Sequence, residues 1–318
     1  MKLKIAISLV IMALLVGCRV KEQGESIDLT VWVTDWDLSR GLEELTTVDV
    51  SSVQYFGVYF NEYDEFVMNS TLGEALLNEG SPTYLTFIND IVYSNGINVH
   101  KDSALARRLI NDSSLPGKIV QLALEYQVEG VELDFEKIPG EEWEAYVTFI
   151  DKLGAMLASQ DIALRVVLEP SSPIDEIKLP HQYEYVMMMY NLYGLHSEPG
   201  PKANFSFIKS LVQKCQSFLE NVRFAFSVGG FDWGEKHVAG KTYVQVQELI
   251  KTYEVSDVTR DAKSGALSFT YVDETGGFHE VWFADEETIG SWINVVREQG
   301  ENKVALWRLG GNISGIMK

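Results

Sequence analysis

Glu129-Gly130-Val131-Glu132-Leu133-Asp134-Phe135-Glu136 is the stretch from which the rest of this chain can be read. Side chains on a strand alternate between faces, so Val131, Leu133 and Phe135 share one face and Glu132, Asp134 and Glu136 the other. Neighbours on one face stand about 6.6 Å apart at strand rise, close enough for three carboxylates to interact strongly wherever water is partly excluded, so that at least one pKa rises. Alternation alone also fits a half-buried antiparallel strand with its acids in water. The flanks favour a different setting, because helix-forming segments precede it (Gly117 to Tyr126) and follow it with helical periodicity (Glu141 to Ser159). Such a strand belongs to a parallel sheet covered on both faces, and its acids then face a barrel interior or the mouth of a site.

Extended outward, the pattern predicts an α/β fold, a single (β/α)8 TIM barrel. Strands are expected at Asp28 to Thr34, Val53 to Phe60, Thr83 to Asn89, the acidic stretch, Ile162 to Leu168, Tyr185 to Tyr190, Val222 to Val228 and Lys303 to Trp307. Helices are expected between most of them. In the helix after the acidic strand, Trp143, Val147, Ile150, Leu153 and Leu157 form a core-facing stripe, which makes Trp143 a packing residue. The rhythm breaks late, where Leu267 to Val272 and His279 to Phe283 flank Glu274-Thr275-Gly276-Gly277. This predicts a small β-hairpin insertion before the last helix and strand.

The acidic strand resembles the signature of glycoside hydrolase family 18, the chitinase-like enzymes, which reads Asp-Gly-x-Asp-x-Asp-x-Glu. Gly130, Asp134 and Glu136 match, with Glu129 and Glu132 at the places of the first two aspartates. The resemblance implies that Glu136 is the general acid and base and that Asp134 orients the substrate's acetamido group. Met188-Met189-Tyr190-Asn191 resembles the family's Met-x-Tyr-Asp motif with Asn for Asp, which implies that Tyr190 donates to the acetamido carbonyl. The ending Leu306-Trp307-Arg308-Leu309-Gly310-Gly311 resembles the eighth strand of bacterial cell-wall members, especially spore-cortex N-acetylglucosaminidases, and makes Trp307 the floor of the reacting sugar's subsite. Tyr84 to Asn89 lacks the Ser-x-Gly-Gly that many members carry on the third strand, a departure from true chitinases.

Other candidates follow from position. Asp35-Trp36-Asp37 ends the first strand, at the end of a barrel where active sites form. Glu169 ends the fifth and either reaches the cleft or stays in its loop. In Gly229-Gly230-Phe231-Asp232-Trp233 two glycines permit a sharp turn, presenting Asp232 and Trp233 to a ligand or capping the barrel. Met188, Asn191 and Glu132 join the expected substrate contacts.

Composition bounds the alternatives. The chain has 318 residues and is 46% hydrophobic, enough for a large core. Its 26 basic and 46 acidic residues give a formal charge of -20, which argues against a nucleic-acid partner or an anionic lipid surface. The five histidines are scattered without paired ligand spacing, and no Gly-rich phosphate loop is present, so neither metal nor cofactor is expected. Lys2 and Lys4 precede an apolar run from Ile5 to Val16, the layout of a secretory signal. Leu15-Val16-Gly17-Cys18 then resembles a bacterial lipobox. The expected organisation is a signal over 1–17, a lipidated Cys18 and tether over 18–27, and the barrel over 28–318. Such a protein is exported and held to the membrane of the cell envelope by its lipid. Cys215, the remaining cysteine, falls on the apolar face of a helix with Ile208, Leu211 and Val212, as a buried structural thiol.

These observations point to a glycosidase acting on a glycan that contains N-acetylglucosamine, without cofactor. A non-catalytic sugar-binding barrel is the alternative, and retention of Glu136 weighs against it. An importer's receptor would need two lobes rather than eight strands alternating with helices.

Overall fold

The computed structural model describes residues 26–78 and 82–312. Eight parallel strands close into a barrel: Asp28–Thr34, Ser52–Phe60, Thr83–Val92, Gly130–Asp134, Ala163–Leu168, Glu184–Met188, Val222–Ser227 and Lys303–Trp307. The last pairs with the first, Asp28 opposite Lys303, which removes the sheet edges. Residues 1–25, including the expected signal and Cys18, lie outside the described residues.

The barrel closes because each strand buries both faces. Val131, Leu133 and Phe135 belong to the large core between sheet and helices, while Glu132, Asp134 and Glu136 are buried on the inner side. Helix Trp143–Ala158 covers this strand with Trp143, Tyr146, Phe149, Ile150, Leu153 and Leu157, so Trp143 does pack. Tyr146 and Phe149 carry more of the contact than Val147, which is half-buried. Cys215 is buried on helix Phe205–Phe218, and burial pushes its thiol up to about 12, as expected of an inert core sulfur.

Between the seventh and eighth strands the chain builds more than a hairpin. Leu267–Val272 and Phe278–Ala284 do pair antiparallel, but inside a five-stranded sheet with Gly229–Gly234, Val238–Lys241 and Thr259–Arg260. Helix Tyr243–Thr252, opened by a Thr242/Gln245 capping box, packs on it around a separate apolar cluster of Val246, Phe269, Tyr271, Val281 and Phe283. Gly229 starts this insert at φ 68°, and a Cβ there would stand 2.3 Å from the Lys241 carbonyl oxygen, so the turn out of the barrel requires glycine. The glycines signal a turn, and the strand they open is hard to see in the sequence because Gly-Gly-Phe-Asp-Trp-Gly has no β-branched residue and half of it is glycine.

Candidate active site

The C-terminal ends of the barrel strands, with the insert on one side, enclose a cleft of about 1460 Å³, roomy for an oligosaccharide rather than one small ligand. Its lining includes Asp134, Glu136, Tyr190, Asn191, Met188 and Trp307. Thus six of the residues expected at the site, drawn from three different strands and their loops, come together.

Three of the expected contacts do not reach the cleft. Glu132 is fully buried one layer down, where the register pairs it with Thr86 and Arg165. Its Oε1 accepts from Trp32 Nε1 at 2.6 Å and from Thr86 Oγ1 at 2.9 Å, and its Oε2 lies 4.0 Å from Arg165. It therefore supports the strand rather than touching a ligand. Asp232 is buried inside the insert, accepting from Tyr271 Oη at 2.8 Å and bonded to His279 Nδ1 at 2.7 Å. Trp233 is buried with its indole N–H donated to the Ser197 carbonyl at 2.9 Å, and Phe231 is the ring of that segment that lines the cleft.

Asp134 and Glu136 are 7% and 5% exposed, so desolvation is the first cause acting on both. Burial and the neighbouring Glu136 charge push Asp134 well above the usual carboxylate range, and Asp134 Oδ1 has no hydrogen-bond partner in the described structure. Burial also raises Glu136, against the pull of Lys101, whose Nζ lies 2.5 Å from Glu136 Oε2. Repulsion between like charges in a desolvated site opposes ionising both, which keeps a proton available on the pair, the state a general acid needs. Burial, aided by the charges of Asp134 and Glu136, raises the Tyr190 phenol as well, which keeps it a donor.

Several participants carried no sequence signal. Asn89 clamps the backbone of Glu136, its Oδ1 accepting from the Glu136 N–H and its Nδ2 donating to the Glu136 carbonyl, both at 2.9 Å. Lys101 adopts φ 54°, fixed by its N–H to Asp90 Oδ1 at 2.6 Å. That left-handed loop, unmarked by any glycine, is what aims its amine at Glu136. Tyr59 donates to Asp35 Oδ1 at 2.7 Å, and both line the cleft. Asn89 ends the strand expected over Thr83 to Asn89 and Asp90 follows it, so their position at the barrel's functional face is the available clue. Glu169, for which the sequence allows either cleft or loop, lines the cleft and accepts the Lys137 N–H at 2.7 Å.

Trp307 sits among aromatic rings, 4.8 Å from Phe56 and 6.3 Å from Trp36 between centroids, and is partly exposed to the cleft. A half-exposed indole in a cleft is a stacking surface for a sugar. Asn191, at φ 73°, takes a left-handed conformation that Asn tolerates better than most residues. Among the described residues no group of three or more His, Cys, Asp or Glu is arranged to hold a metal ion.

This barrel, with paired acids ending the fourth strand, defines a chitinase-like glycosidase architecture. The chain is 25% identical over 250 residues to the uncharacterized glycosylase YvbX of Bacillus subtilis, covering 72% of this chain and 71% of that one. It is 24% identical over 242 residues to the cortical fragment-lytic enzyme of Bacillus anthracis, covering 69% of this chain but only 56% of that enzyme. Among solved structures, the Bacillus cereus spore cortex-lytic enzyme SleL superposes with a TM-score of 0.77 at 19% identity, over 92% of this chain and 73% of that one. A chitinase from Chromobacterium violaceum gives 0.76 at 17% identity, over 92% and 97%. No protein-family model matches the sequence. The likeness to chitinases read from the acidic strand, and to spore-cortex enzymes read from Leu306 to Gly311, thus extends over most of the described chain.

Proposed function

We propose that the chain hydrolyses β-linked glycans containing N-acetylglucosamine, of the peptidoglycan or chitin kind, by a substrate-assisted mechanism that retains configuration. The observation that carries this reading is the pair of buried, upward-shifted carboxyls, Asp134 and Glu136, on one face of the strand end, with Tyr190 and Trp307 in the same cleft. Chitinase-like family members depart from the usual two-carboxylate scheme by using the substrate's own acetamide. Glu136 gives its proton to the glycosidic oxygen as that bond breaks, and the acetamido oxygen bonds to the anomeric carbon. Asp134 takes up the acetamide N–H and Tyr190 donates to its oxygen. Glu136 then removes a proton from water, whose oxygen opens the oxazolinium ring and restores the acetamide.

Proton NMR of the first products tests the scheme. It calls for the β anomer at the new reducing end and for no turnover of the de-N-acetylated oligosaccharide. An α anomer, or equal rates on both substrates, would contradict it.

One observation favours a binding-only barrel. The Lys101 ammonium on Glu136 stabilises the ionised carboxylate, which cannot protonate a leaving group. Net upward displacement of Glu136 despite Lys101 supports the enzyme instead. Export and lipid anchoring through Cys18 complete the proposal; Cys18→Ser should move the protein from the membrane to the soluble fraction, and an unchanged distribution would refute the anchor.

A further inference from the structure

The cleft has a second, differently charged region. Where the loop carrying Asn191 to Lys202 meets the insert and the end of the eighth strand, Arg40, Lys202, Lys241 and Arg308 line it, on a chain of formal charge -20. Two of these have carboxylates near: Arg308 lies 3.0 Å from Asp37, and Lys241 lies 4.0 Å from Asp232. Lys202 is different. Its Nζ donates to Ser227 Oγ and to the Val228 carbonyl, each at 2.8 Å, and stands 5.1 Å from the Phe231 ring centroid. None of these partners is charged, and among the described residues no carboxylate lies within ion-pairing distance of the amine.

A half-buried ammonium without a counter-ion is costly. Burial, with repulsion from Arg308, lowers the amine to about 7. An ammonium has three donors and two are used here, which leaves one for an acceptor that none of the described residues supplies. Arg308 extends the cationic surface towards the aromatic floor, with its guanidinium carbon 5.5 Å from the Trp36 ring centroid, and Trp36 is itself 6.3 Å from Trp307. Lys202 reaches the same floor through Ser227, which pairs with Trp307 across the sheet, so a sugar stacked there would carry its substituents past both cations.

We infer that Lys202 and Arg308 form a subsite for a carboxylate borne by the glycan, such as a lactyl or uronic acid group, so that the preferred substrate is an acidic rather than a neutral polysaccharide. This deepens the proposed glycosidase reading and rests on it. A carboxylate there completes the third hydrogen bond of Lys202 and supplies the missing counter-charge, and a neutral chitin-like chain does neither.

The test compares affinities of two preparations of one peptidoglycan-derived oligosaccharide, with carboxylates free or converted to methyl amides. Titration calorimetry on the Glu136→Gln protein avoids turnover. The acidic form should bind about tenfold or more tightly, as a charge-assisted bond requires. That ratio should fall towards one in Glu136→Gln/Lys202→Met. Equal affinity for the two preparations, or a preference that survives Lys202→Met, would overturn the inference. The first comparison needs no change at Lys202, so a poorly folding variant leaves the question decided. Failure of the hydrolase reading shows separately, as absence of cleavage by the wild-type protein with the binding preference intact.

Discussion

Glu136 stands under two opposed influences, burial that raises its pKa and the Lys101 ammonium that lowers it. Their balance makes Lys101 a regulator of when the acid holds its proton. Lys101→Met removes only the lowering influence, so the folded pKa rises and the alkaline limb of kcat/KM should move to higher pH. A limb that stays or moves down would show that Lys101 does not act on the acid. Asp134 allows a second, sign-checked expectation. Its pKa is raised well above the unfolded value by burial first and Glu136 second, so stability present at low pH is lost as pH rises through the folded pKa. Asp134→Asn should therefore raise the melting temperature at neutral pH, with the gain vanishing below about pH 4, the unfolded carboxylate range. It should also slow turnover of N-acetylated substrate by about 10²-fold or more. Unchanged or lower thermal stability at pH 7 would contradict the burial argument. The acids themselves were legible because strand alternation puts them on one face. Their partners were not, since Lys101 and Lys202 sit in loops where no period fixes direction.

At the scale of single elements, the fourth strand is locked from both ends. Asn89 holds the Glu136 backbone beyond its C-terminus, and at its N-terminus Gly130 lies against the Tyr84 ring. A Cβ on Gly130 would stand 2.1 Å from Tyr84 Cε1, and the Arg165 guanidinium lies over that ring, 4.0 Å from its centroid. Gly130→Ala should cost about 1–3 kcal/mol, the usual penalty for overpacking, measurable by urea unfolding. A loss under a few tenths would mean that Tyr84 is free to swing away. The sequence indicated Gly130 only through its place in a motif, while the reason for glycine is a ring from the neighbouring strand. Barrel strands were legible because both their faces are apolar or functional. Strand Gly229–Gly234 escaped because its fitness depends on antiparallel partners as distant as Phe278–Ala284.

On the scale of the whole molecule, the insert has its own small apolar cluster, whereas the eight strands and their helices share one large core. Unequal cores predict unequal protection. Amide exchange should be faster throughout the insert strands, above all at the two-residue edge strand Thr259–Arg260, than in strands Asp28–Thr34 and Gly130–Asp134. Uniform protection would make insert and barrel one cooperative unit. The insert also forms one side of the cleft, through Phe231, Gly240 and Lys241, so its opening would bear on how long glycans enter.

The most direct test of the glycosidase account is product mass spectrometry after incubating the wild-type protein, and its Glu136→Gln variant, separately with purified peptidoglycan and chitin oligosaccharides. The account predicts fragments ending in a reducing N-acetylglucosamine from the wild type and none from the variant, with the variant's melting temperature preserved. Binding to either glycan without release of fragments, or release that persists in Glu136→Gln, would contradict it.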